Sequence, residues 1–389
     1  MLIDMKDFFL IDPDVVYLNH GSFGAVPKEV FTTYQKFQQE LEKNPVRFLY
    51  RELSDEIMHV KEVLGHTLNS PADNLLIIPN ATYGVNLVLR SLGIQPGEEI
   101  LTSTHEYGAC INALRYFTQS SGIHLIQQHV PLPLESPEIV IDQIWTGVTS
   151  QTKVLFISHI TSPTALRFPV LQLCERARHK GILTIVDGAH APGQIPLDLT
   201  DIGADFYIGN CHKWMLSPRG AGFLYASSEM IELLEPLIVS WGWNSTGISQ
   251  ENPASLENLQ WTGTYDPAAF LSIPAAIEFQ ASQNWNQFRQ NAQTIIKRFL
   301  IDFSSEFNTP MSYSPNAEPF IQMASAPLPP IRSSAGFQEE LWKNHSIEIP
   351  CIEWRNQQFL RISYQAYNSE IDLEKLFYAA KHLLTSFQV

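Results

Sequence analysis

The sequence predicts an α/β fold in which a mainly parallel, seven-stranded sheet carries helices on both faces. Apolar strand-like runs recur along the chain, and helix-like stretches separate most of them. Near-continuous apolar runs are typical of strands buried on both faces, and this alternation is typical of parallel connections. The length of 389 residues exceeds what one small core needs. We therefore expect a second, smaller α+β domain beside the sheet.

Two amphipathic helices are predicted before the sheet begins. Apolar residues recur at helical spacing over residues 28–43 and again over residues 52–68. Pro45 separates the two patterns, because proline lacks the N–H that a continuing helix needs. Residues 1–27 precede them and are assigned to an N-terminal segment that supplies a substrate-site loop and contacts the small domain.

The large domain is predicted over residues 28–266, with its strands and helices alternating from about residue 74. The predicted strands are Leu75–Pro79, Glu99–Ser103, His124–His129, Val154–Ser158, Leu183–Val186, Phe206–Ile208 and Ala221–Tyr225. The predicted helices between and after them are Tyr83–Leu92, Gly108–Gln119, Val170–Lys180 and Glu229–Leu237.

The pattern changes after about residue 267, so residues 267–389 are assigned to the smaller α+β domain. A proline-rich passage over Thr309–Ser334 predicts loops. The other predicted elements are helices Ala268–Gln280 and Trp285–Phe299, strands Ile347–Ile352 and Phe359–Tyr364, and a last helix from Ile371. Ser369 and Asp372 have the spacing of a capping box at the start of that helix.

Composition excludes several classes of partner. A net charge of −15 argues against nucleic acid or an anionic membrane surface, since either requires a basic patch. The four cysteines show no metal-ligand spacing, so no metal site is predicted, and they suit a reducing compartment. The first residues lack the apolar core of a signal peptide, and no apolar run is long enough for a membrane span. We expect a cytoplasmic protein with a small-molecule substrate.

Two predicted strands end in charged side chains at the same edge of the sheet. Asp187 closes the run Ile182–Val186, and Lys213 follows the run Ala204–Gly209. Open parallel sheets bind cofactors at this edge. An imine-forming lysine and a carboxylate that faces a ring nitrogen are what pyridoxal 5′-phosphate (PLP) requires. The pair predicts a PLP enzyme, whereas Asp187 taken alone is also typical of a strand-end turn.

Other residues supply the remaining parts of a PLP site. Ala81 and Thr82 stand where a helix N-terminus follows a strand, which suits a phosphate, although Asn80 or Thr82 could equally cap the helix. His212 could donate to that phosphate or be a core histidine. Tyr107 could lie flat on the ring, or pack at the start of a helix.

Two further side chains are predicted to reach the cofactor ring or the substrate. His190 lies three residues past Asp187, within reach of the phenolic oxygen of the ring. Arg361 is surrounded by apolar neighbours, and a desolvated guanidinium needs a partner. Because arginine grips carboxylates bidentately, we assign Arg361 to the substrate carboxylate, with an internal salt bridge as the alternative.

The motifs together resemble the class V aminotransferase family of fold-type I PLP enzymes, and within it the isopenicillin N epimerase-like branch. The segments that carry the resemblance occur in the order of the family over nearly the whole chain: Tyr17–Gly24, Asn44–Phe48, Asn80–Thr82, His105–Ala109, His159–Ala165, Asp187–His190, His212–Trp214 and Arg361–Tyr364. The passage Ala324–Ser334 contains no cysteine, unlike the mobile loop of cysteine desulfurases. Persulfide chemistry on a protein cysteine is therefore disfavoured.

The resemblance implies roles for individual residues. Lys213 would bind the cofactor as an imine, with Asp187 at the ring nitrogen and Tyr107 stacked on the ring. The remaining cofactor contacts that it implies are Ala81, Thr82, Asn210 and His212 at the phosphate, and Thr161 and His190 near the phenolic oxygen. A homodimer is implied, in which Thr264 reaches the phosphate of the partner subunit. Asn19, His20 and Arg47 would join Arg361 at the substrate.

The reaction is left open by the residues alone. A carbanion at Cα can be reprotonated on the opposite face, protonated at the cofactor, or lose a β-substituent. These outcomes correspond to an epimerase, a transaminase and a C–S lyase, of which we expect the epimerase. A PLP-binding regulatory protein without turnover is the alternative of another class. A nucleotide-binding protein lacks support, because neither GxGxxG nor GxxxxGK[ST] occurs in a strand–helix context.

Overall fold

The computed structural model describes residues 5–243, 256–314 and 320–388. The first four residues of the predicted N-terminal segment and residues 315–319 of the predicted proline-rich passage lie outside the described residues. The N-terminal elements are strand β1 (Val16–Tyr17) and helices α1 (Lys28–Lys43) and α2 (Leu53–Leu68). A π-helical turn over Arg47–Glu52 joins the two helices, both of which the sequence predicted.

A seven-stranded sheet forms the centre of the molecule and confirms the predicted fold class. Its strands are β2 (Leu75–Ile78), β3 (Glu99–Ser103), β4 (His124–Gln128), β5 (Thr152–Ser158), β6 (Leu183–Gly188), β7 (Phe206–Asn210) and β8 (Gly222–Ala226). Their order across the sheet is β2-β8-β7-β6-β5-β3-β4. Strand β8 runs antiparallel to both of its neighbours, and the other pairs are parallel.

Helices cover both faces of the sheet. Alternate residues of a strand therefore pack into two different hydrophobic cores, one on each face. Leu75 and Ile77 of β2 belong to one core, and Leu76 and Ile78 belong to the other. The covering helices are α3 (Ala81–Ser91), α4 (Gly108–Thr118), α5 (Pro137–Trp145), α6 (Val170–His179) and α7 (Leu199–Ile202).

Two helix predictions in this half of the chain differ from the structure. Helix α5 was not predicted, because its β-branched isoleucines and valine favour a strand by pattern. The helix predicted over Glu229–Leu237 is wrong, since only Ile231–Leu233 forms a single 3₁₀ turn. Pro236 explains the difference, because a proline disfavours helical backbone in the residue before it.

The C-terminal part combines helices with a three-stranded antiparallel sheet in the order β11-β12-β9. Its elements are α8 (Glu257–Gln260), α9 (Ala268–Leu271), α10 (Ile273–Ser282), α11 (Trp285–Phe307), β9 (Met323–Pro327), α12 (Ser334–His345), β10 (Ile347–Glu348), β11 (Cys351–Trp354), β12 (Gln357–Ser363) and α13 (Glu370–Phe387). The predicted capping box at Ser369 and Asp372 is confirmed. The domain boundaries stay a prediction.

Strand β9 lies inside Thr309–Ser334, which was predicted to form loops. Prolines account for two other differences from the predicted elements. The helix predicted over Ala268–Gln280 is divided at Ser272, with Pro274 in the first turn of α10. The strand predicted over Ile347–Ile352 is divided into β10 and β11 around Pro350, which cannot donate to a strand ladder. In the described part of the chain, no helix combines the length and apolar character that a membrane span requires.

The N-terminal segment crosses the molecule and joins its two halves. Strand β1 pairs in parallel with β10, and Asn19 forms an isolated bridge with Ser363 at the end of β12. The chain then passes over the loop that follows β7, where His20 Nε2 lies 3.0 Å from the carbonyl oxygen of Lys213. Residues 19–24 are thereby held beside the carboxyl edge of the large sheet.

Candidate active site

A cavity of about 340 Å³ opens at the carboxyl edge of the large sheet. Its volume lies in the range of small-molecule sites. Predicted cofactor residues line it together: Ala81, Thr82, Tyr107, Asp187, His190, Asn210, His212 and Lys213. They come from separate strand ends and helix starts, which meet because the parallel strands all finish at this edge.

Lys213 carries a partly buried amine in the cavity wall. Its Nζ lies 3.2 Å from Nε2 of His190. Burial is the main cause that lowers the pKa of Lys213 to about 8; the charge of Arg361 lowers it further, and Asp187 opposes the shift. A neutral amine is the nucleophilic form, so this environment prepares Lys213 to attack a carbonyl near neutral pH.

Trp214 determines which nitrogen of His190 carries the hydrogen. The indole Nε1–H of Trp214 donates to His190 Nδ1 at 3.3 Å, and an indole can only donate. Burial, followed by the charge of Lys213, holds the pKa of His190 well below its usual range, so the ring is neutral. Its one hydrogen is therefore on Nε2, which donates to the Lys213 amine. The same N–H suits an acceptor such as the phenolic oxygen of PLP, a contact that stays a prediction.

Asp187 lies on the cavity floor at the end of β6 and is only 3% exposed. Its Oδ1 accepts the Ala189 N–H at 2.9 Å, so the alternative role as a strand-end turn residue is real as well. Burial raises the pKa of Asp187, whereas the Ala189 N–H and then Lys213 lower it. A cation in the cavity would strengthen the ionised form, which is the state that a protonated ring nitrogen needs opposite it.

Cys110 contacts the same carboxylate and was missed by sequence reasoning. Its Sγ donates to Asp187 Oδ2 at 3.3 Å, and it lines the cavity from α4. Burial and then the charge of Asp187 raise the pKa of Cys110 well above its usual range. The thiol therefore stays protonated, as a donor and not as a nucleophile. Nothing in the spacing of the cysteines distinguishes Cys110 from a buried apolar residue.

The start of helix α3 has the features of an anion site. Asn80 caps the helix by accepting the Tyr83 N–H at 3.0 Å, and Asn210 Oδ1 accepts the Ala81 N–H at 2.8 Å. Thr82 stands in the first turn and faces the cavity. The first N–H groups of a helix have no intrahelical acceptor and lie at the positive end of its dipole. Capping and anion binding are thus compatible at this helix end.

His212 borders the anion site in a defined tautomer. Its Nδ1 lies 2.7 Å from the carbonyl oxygen of Ala221, which can only accept. Burial lowers the pKa of His212 to about 4, so without an anion the ring is neutral and Nε2 is an acceptor. A bound phosphate dianion would favour the protonated ring, and Nε2 would then donate to it.

Arg361 is buried behind the cavity wall and bonded to two serines that line the cavity. Nη1 donates to the carbonyl oxygen of Ser162 at 2.8 Å and to its Oγ at 3.0 Å, and Nη2 donates to Ser22 Oγ at 2.7 Å. Among the described residues, Nε has no partner and no carboxylate lies within ion-pair distance. The alternative of an internal salt bridge is therefore wrong for this part of the chain, where the guanidinium of Arg361 has no ionic partner.

Three residues predicted to touch cofactor or substrate do not line the cavity. His20 backs it instead, with Nδ1 2.9 Å from the Tyr367 hydroxyl and Nε2 at the Lys213 carbonyl oxygen. The hydroxyl of Thr161 is used internally by Thr164 and the Leu166 N–H. The amide of Asn19 donates to Glu348 at 3.2 Å. Hydrogen bonds to neighbouring segments hold all three behind the wall, although Asn19 Oδ1 has no partner among the described residues.

Two other predicted residues lie on the surface of this chain. Arg47 pairs with Glu52 at 3.2 Å on the π-helical turn, and Thr264 is exposed. Neither lines the cavity, so their predicted substrate and partner-subunit contacts stay predictions.

Further polar residues of the site escaped the sequence reasoning. Ser22, Ser158, Ser162 and Arg219 line the cavity, and buried Glu106 lies just behind it. Serines are too common in loops to be singled out by type. Arg219 follows the strand-end motif of Lys213 but lies in a loop, where the spacing of residues does not indicate which side chains reach a site. Only the fold places these residues at the edge of the sheet.

Comparisons with known proteins agree with this geometry. The family model of aminotransferase class-V matches residues 16–327. The isopenicillin N epimerase of Amycolatopsis lactamdurans is 34% identical over 96% of this chain and 96% of its own. A probable chloroplastic L-cysteine desulfhydrase of Arabidopsis thaliana is 27% identical over 75% of this chain and 63% of its own. A solved complex of the cystine C-S lyase C-DES with cysteine persulfide matches with a TM-score of 0.80 at 19% identity, covering 97% of this chain and 99% of that chain.

Proposed function

Since the chain belongs to the class V aminotransferase family, we propose that it is a PLP-dependent enzyme that epimerises an amino acid at Cα. The observation that carries the proposal is the cavity itself. The amine of Lys213, the buried carboxylate of Asp187 and the N-terminus of α3 line it. Arg361, which has no ion-pair partner among the described residues, lies behind its wall and bonds to the lining residues Ser22 and Ser162.

The residues fit PLP, which is the cofactor that the family implies. Lys213 would hold its aldehyde carbon, and Asp187 its ring nitrogen. Thr82, the first turn of α3 and protonated His212 would hold the phosphate, and His190 would donate to the phenolic oxygen. Tyr107, which is 46% exposed at the cavity, is free to cover the ring.

The bound cofactor supplies an electron sink that makes the Cα proton acidic. The chain supplies orientation and proton transfer. Arg361 can exchange the hydroxyl of Ser22 for the substrate carboxylate, because a charge-assisted bidentate bond is stronger than a bond to a neutral hydroxyl. Lys213 then stands as the base at Cα, and its lowered pKa matches that task near neutral pH. Without cofactor, His190 Nε2 lies 3.2 Å from Lys213 Nζ and can donate to the neutral amine.

Epimerisation is favoured over the rival outcomes by the near full-length similarity to an isopenicillin N epimerase. β-Elimination at a C–S bond is the second candidate, because a cystine lyase shares the fold and a desulfhydrase is a relative. Desulfuration through a protein cysteine lacks support in the described residues. Cys110 is held protonated at Asp187, and burial raises the pKa of Cys351 to about 11.

The test is incubation of the PLP-loaded protein with a panel of amino acids in deuterated water. We expect Cα-deuterated product of inverted configuration. Pyruvate or sulfide release would identify a lyase, a keto acid would identify a transaminase, and the absence of turnover with every amino acid would support a regulatory protein.

Loading is measured in the same samples by visible absorbance. Lys213→Ala should lose the absorbance of the bound cofactor, and Lys180→Ala, in an exposed turn, is the matched control. A wild-type protein that stays colourless after PLP is supplied would contradict the proposal at its first step.

A further inference from the structure

Glu106 is a fully enclosed acid without a cationic partner. It lies between β3 and α4, is 6% exposed, and forms no ion pair among the described residues. Its Oε1 accepts from Ser103 Oγ at 2.5 Å, and its Oε2 lies 2.5 Å from Ser158 Oγ. Two hydroxyls satisfy the hydrogen bonds of a carboxyl group, but they do not neutralise a buried charge.

The hydrogen bonds around Glu106 show where a proton on it would lie. Ser103 Oγ accepts the His105 N–H at 3.0 Å and donates its own hydrogen to Oε1 of Glu106. The proton of a neutral Glu106 would therefore lie on Oε2 and be donated to Ser158. Ser158 lines the cavity, and its own hydroxyl hydrogen would then be free to point into it.

The neighbours of Glu106 also favour a neutral acid. Ser158 at the end of β5 is in register with Asp187 on β6, so the hydroxyl that bonds to Glu106 lies on the strand next to Asp187. Asp187 is the ionisable group that shifts the pKa of Glu106, and Lys213 and Cys110 of α4 shift that of Asp187. Both acids in turn raise the pKa of Cys110. Burial, and then the charge of Asp187, raise the pKa of Glu106 to about 8 against the lowering effect of the two serines.

We propose that Glu106 is a positioning residue that carries a proton in the working protein. As a neutral acid it ties the end of β3 to the end of β5 and leaves the negative charge opposite the ring nitrogen to Asp187. Tyr107, the next residue, is thereby held at the cavity mouth where it would cover the ring. The positioning role of Glu106 rests on the proposed PLP chemistry. The proton on Glu106 can be observed without any cofactor.

The first experiment detects that proton in the cofactor-free protein. Infrared difference spectra of the wild type and Glu106→Gln at neutral pH should contain one protonated carboxylic acid band that the variant lacks. Glu138→Gln, which changes an exposed acid, is the control and should remove no such band. A wild-type spectrum in which position 106 contributes only carboxylate bands would overturn the inference.

The second experiment separates the neutral acid from a charge. Glutamine preserves both hydrogen bonds of a protonated Glu106, so Glu106→Gln should bind PLP within about twofold of the wild type. Glu106→Ala removes the tie and should bind PLP about tenfold more weakly, equivalent to about 1.4 kcal/mol. Thermal unfolding checks that both variants are folded. If folded Glu106→Gln loses as much PLP affinity as Glu106→Ala, the ionised form is the one required and the inference fails.

The third readout is the pH dependence of stability without cofactor. Because the folded pKa of Glu106 lies above its unfolded value, its contribution is complete below about pH 4.5 and is lost as the pH rises through about 8. The unfolding temperature of Glu106→Gln should therefore fall less over this window than that of the wild type. Equal slopes would count against the inference. A wild type that binds no PLP but shows the band would refute the proposed function alone.

Discussion

At the scale of single residues, burial moves the ionisable groups of the site toward their neutral forms. Lys213, His190, His212 and Glu106 lie beside one another or beside the cavity, and burial is the first cause of each pKa shift. A neutral amine can attack, and a neutral imidazole of known tautomer donates from one nitrogen only. Burial therefore favours the protonation states on which the chemistry of the site depends.

The pKa of Lys213 predicts how the cofactor-free protein takes up PLP. Below pH 8 the loading rate should rise about tenfold per pH unit, because only the neutral amine reacts, and it should level off above pH 8. Stopped-flow absorbance at fixed PLP concentration measures this rate. Nα-acetyl-lysine, an amine in water, should continue to gain rate beyond pH 8. A protein profile that parallels the free amine would contradict the prediction.

Trp214→Phe should disturb His190 without removing it. The phenylalanine cannot donate to Nδ1, so His190 is free to place its hydrogen on either nitrogen. Loss of one hydrogen bond, about 1 kcal/mol, predicts a kcat/KM about fivefold lower and a shifted absorbance of bound PLP. Trp342→Phe, at a half-exposed position on α12, is the matched control. Unchanged absorbance and kinetics in Trp214→Phe would exclude the tautomer role.

At the scale of elements, function concentrates where strands end and helices begin. Asp187 is the last residue but one of β6, Lys213 follows β7, and α3 begins at the cavity. The parallel arrangement brings these ends to one edge. The antiparallel β8 fits between β2 and β7 without disturbing this edge, because its Gly222 lets the backbone lie close to Asn80 and Asn210.

Two helix caps allow local stability to be separated from cofactor binding. Asn80→Ala removes the cap of α3. Ser333→Ala removes the cap of α12, in which Ser333 Oγ accepts the Gly336 N–H at 3.0 Å. Each change should cost about 1 kcal/mol of unfolding free energy. Only Asn80→Ala should also weaken PLP binding, by severalfold, measured by absorbance titration. Equal PLP affinity in the two variants would show that the start of α3 does not bind the phosphate.

At the scale of the whole molecule, the N-terminal segment connects the two halves of the site. Ser22 contacts Arg361 of β12, and Gly24 lies so close to the Lys213 loop that an added Cβ would meet the His212 carbonyl oxygen at 2.7 Å. His20 lies between these contacts, at 0% exposure. The lysine and the arginine keep their relative positions because this one segment packs against both.

The homodimer also concerns the whole molecule, and it stays a prediction. Sedimentation equilibrium should give twice the mass of one chain. Thr264 is exposed on one chain, and if it completes the partner's phosphate site, Thr264→Ala should weaken PLP binding severalfold in the dimer. Thr294→Ala, on the outer surface of α11, is the control. A monomer with wild-type PLP affinity would remove both the dimer and the role of Thr264.

Much of this architecture could be predicted from sequence because its signals are local. Strand runs, helix periodicity and the capping box each depend on residues a few positions apart. Asp187 and Lys213 were found because each follows a buried strand directly. The errors arose where local signals conflict, as in α5, whose β-branched residues favour a strand although the fold requires a helix to cover the sheet.

The sequence by itself determined the strand–helix alternation, the family motifs, and the lysine and carboxylate at the sheet edge. Only the tertiary structure decided that Ser22 meets Arg361, 339 residues away, that Trp214 orients His190, and that Ser158 meets Glu106. It also decided which groups are neutral. The physical reason is that periodicity and capping are properties of neighbouring residues, whereas desolvation and hydrogen bonding between distant segments exist only once those segments are packed together.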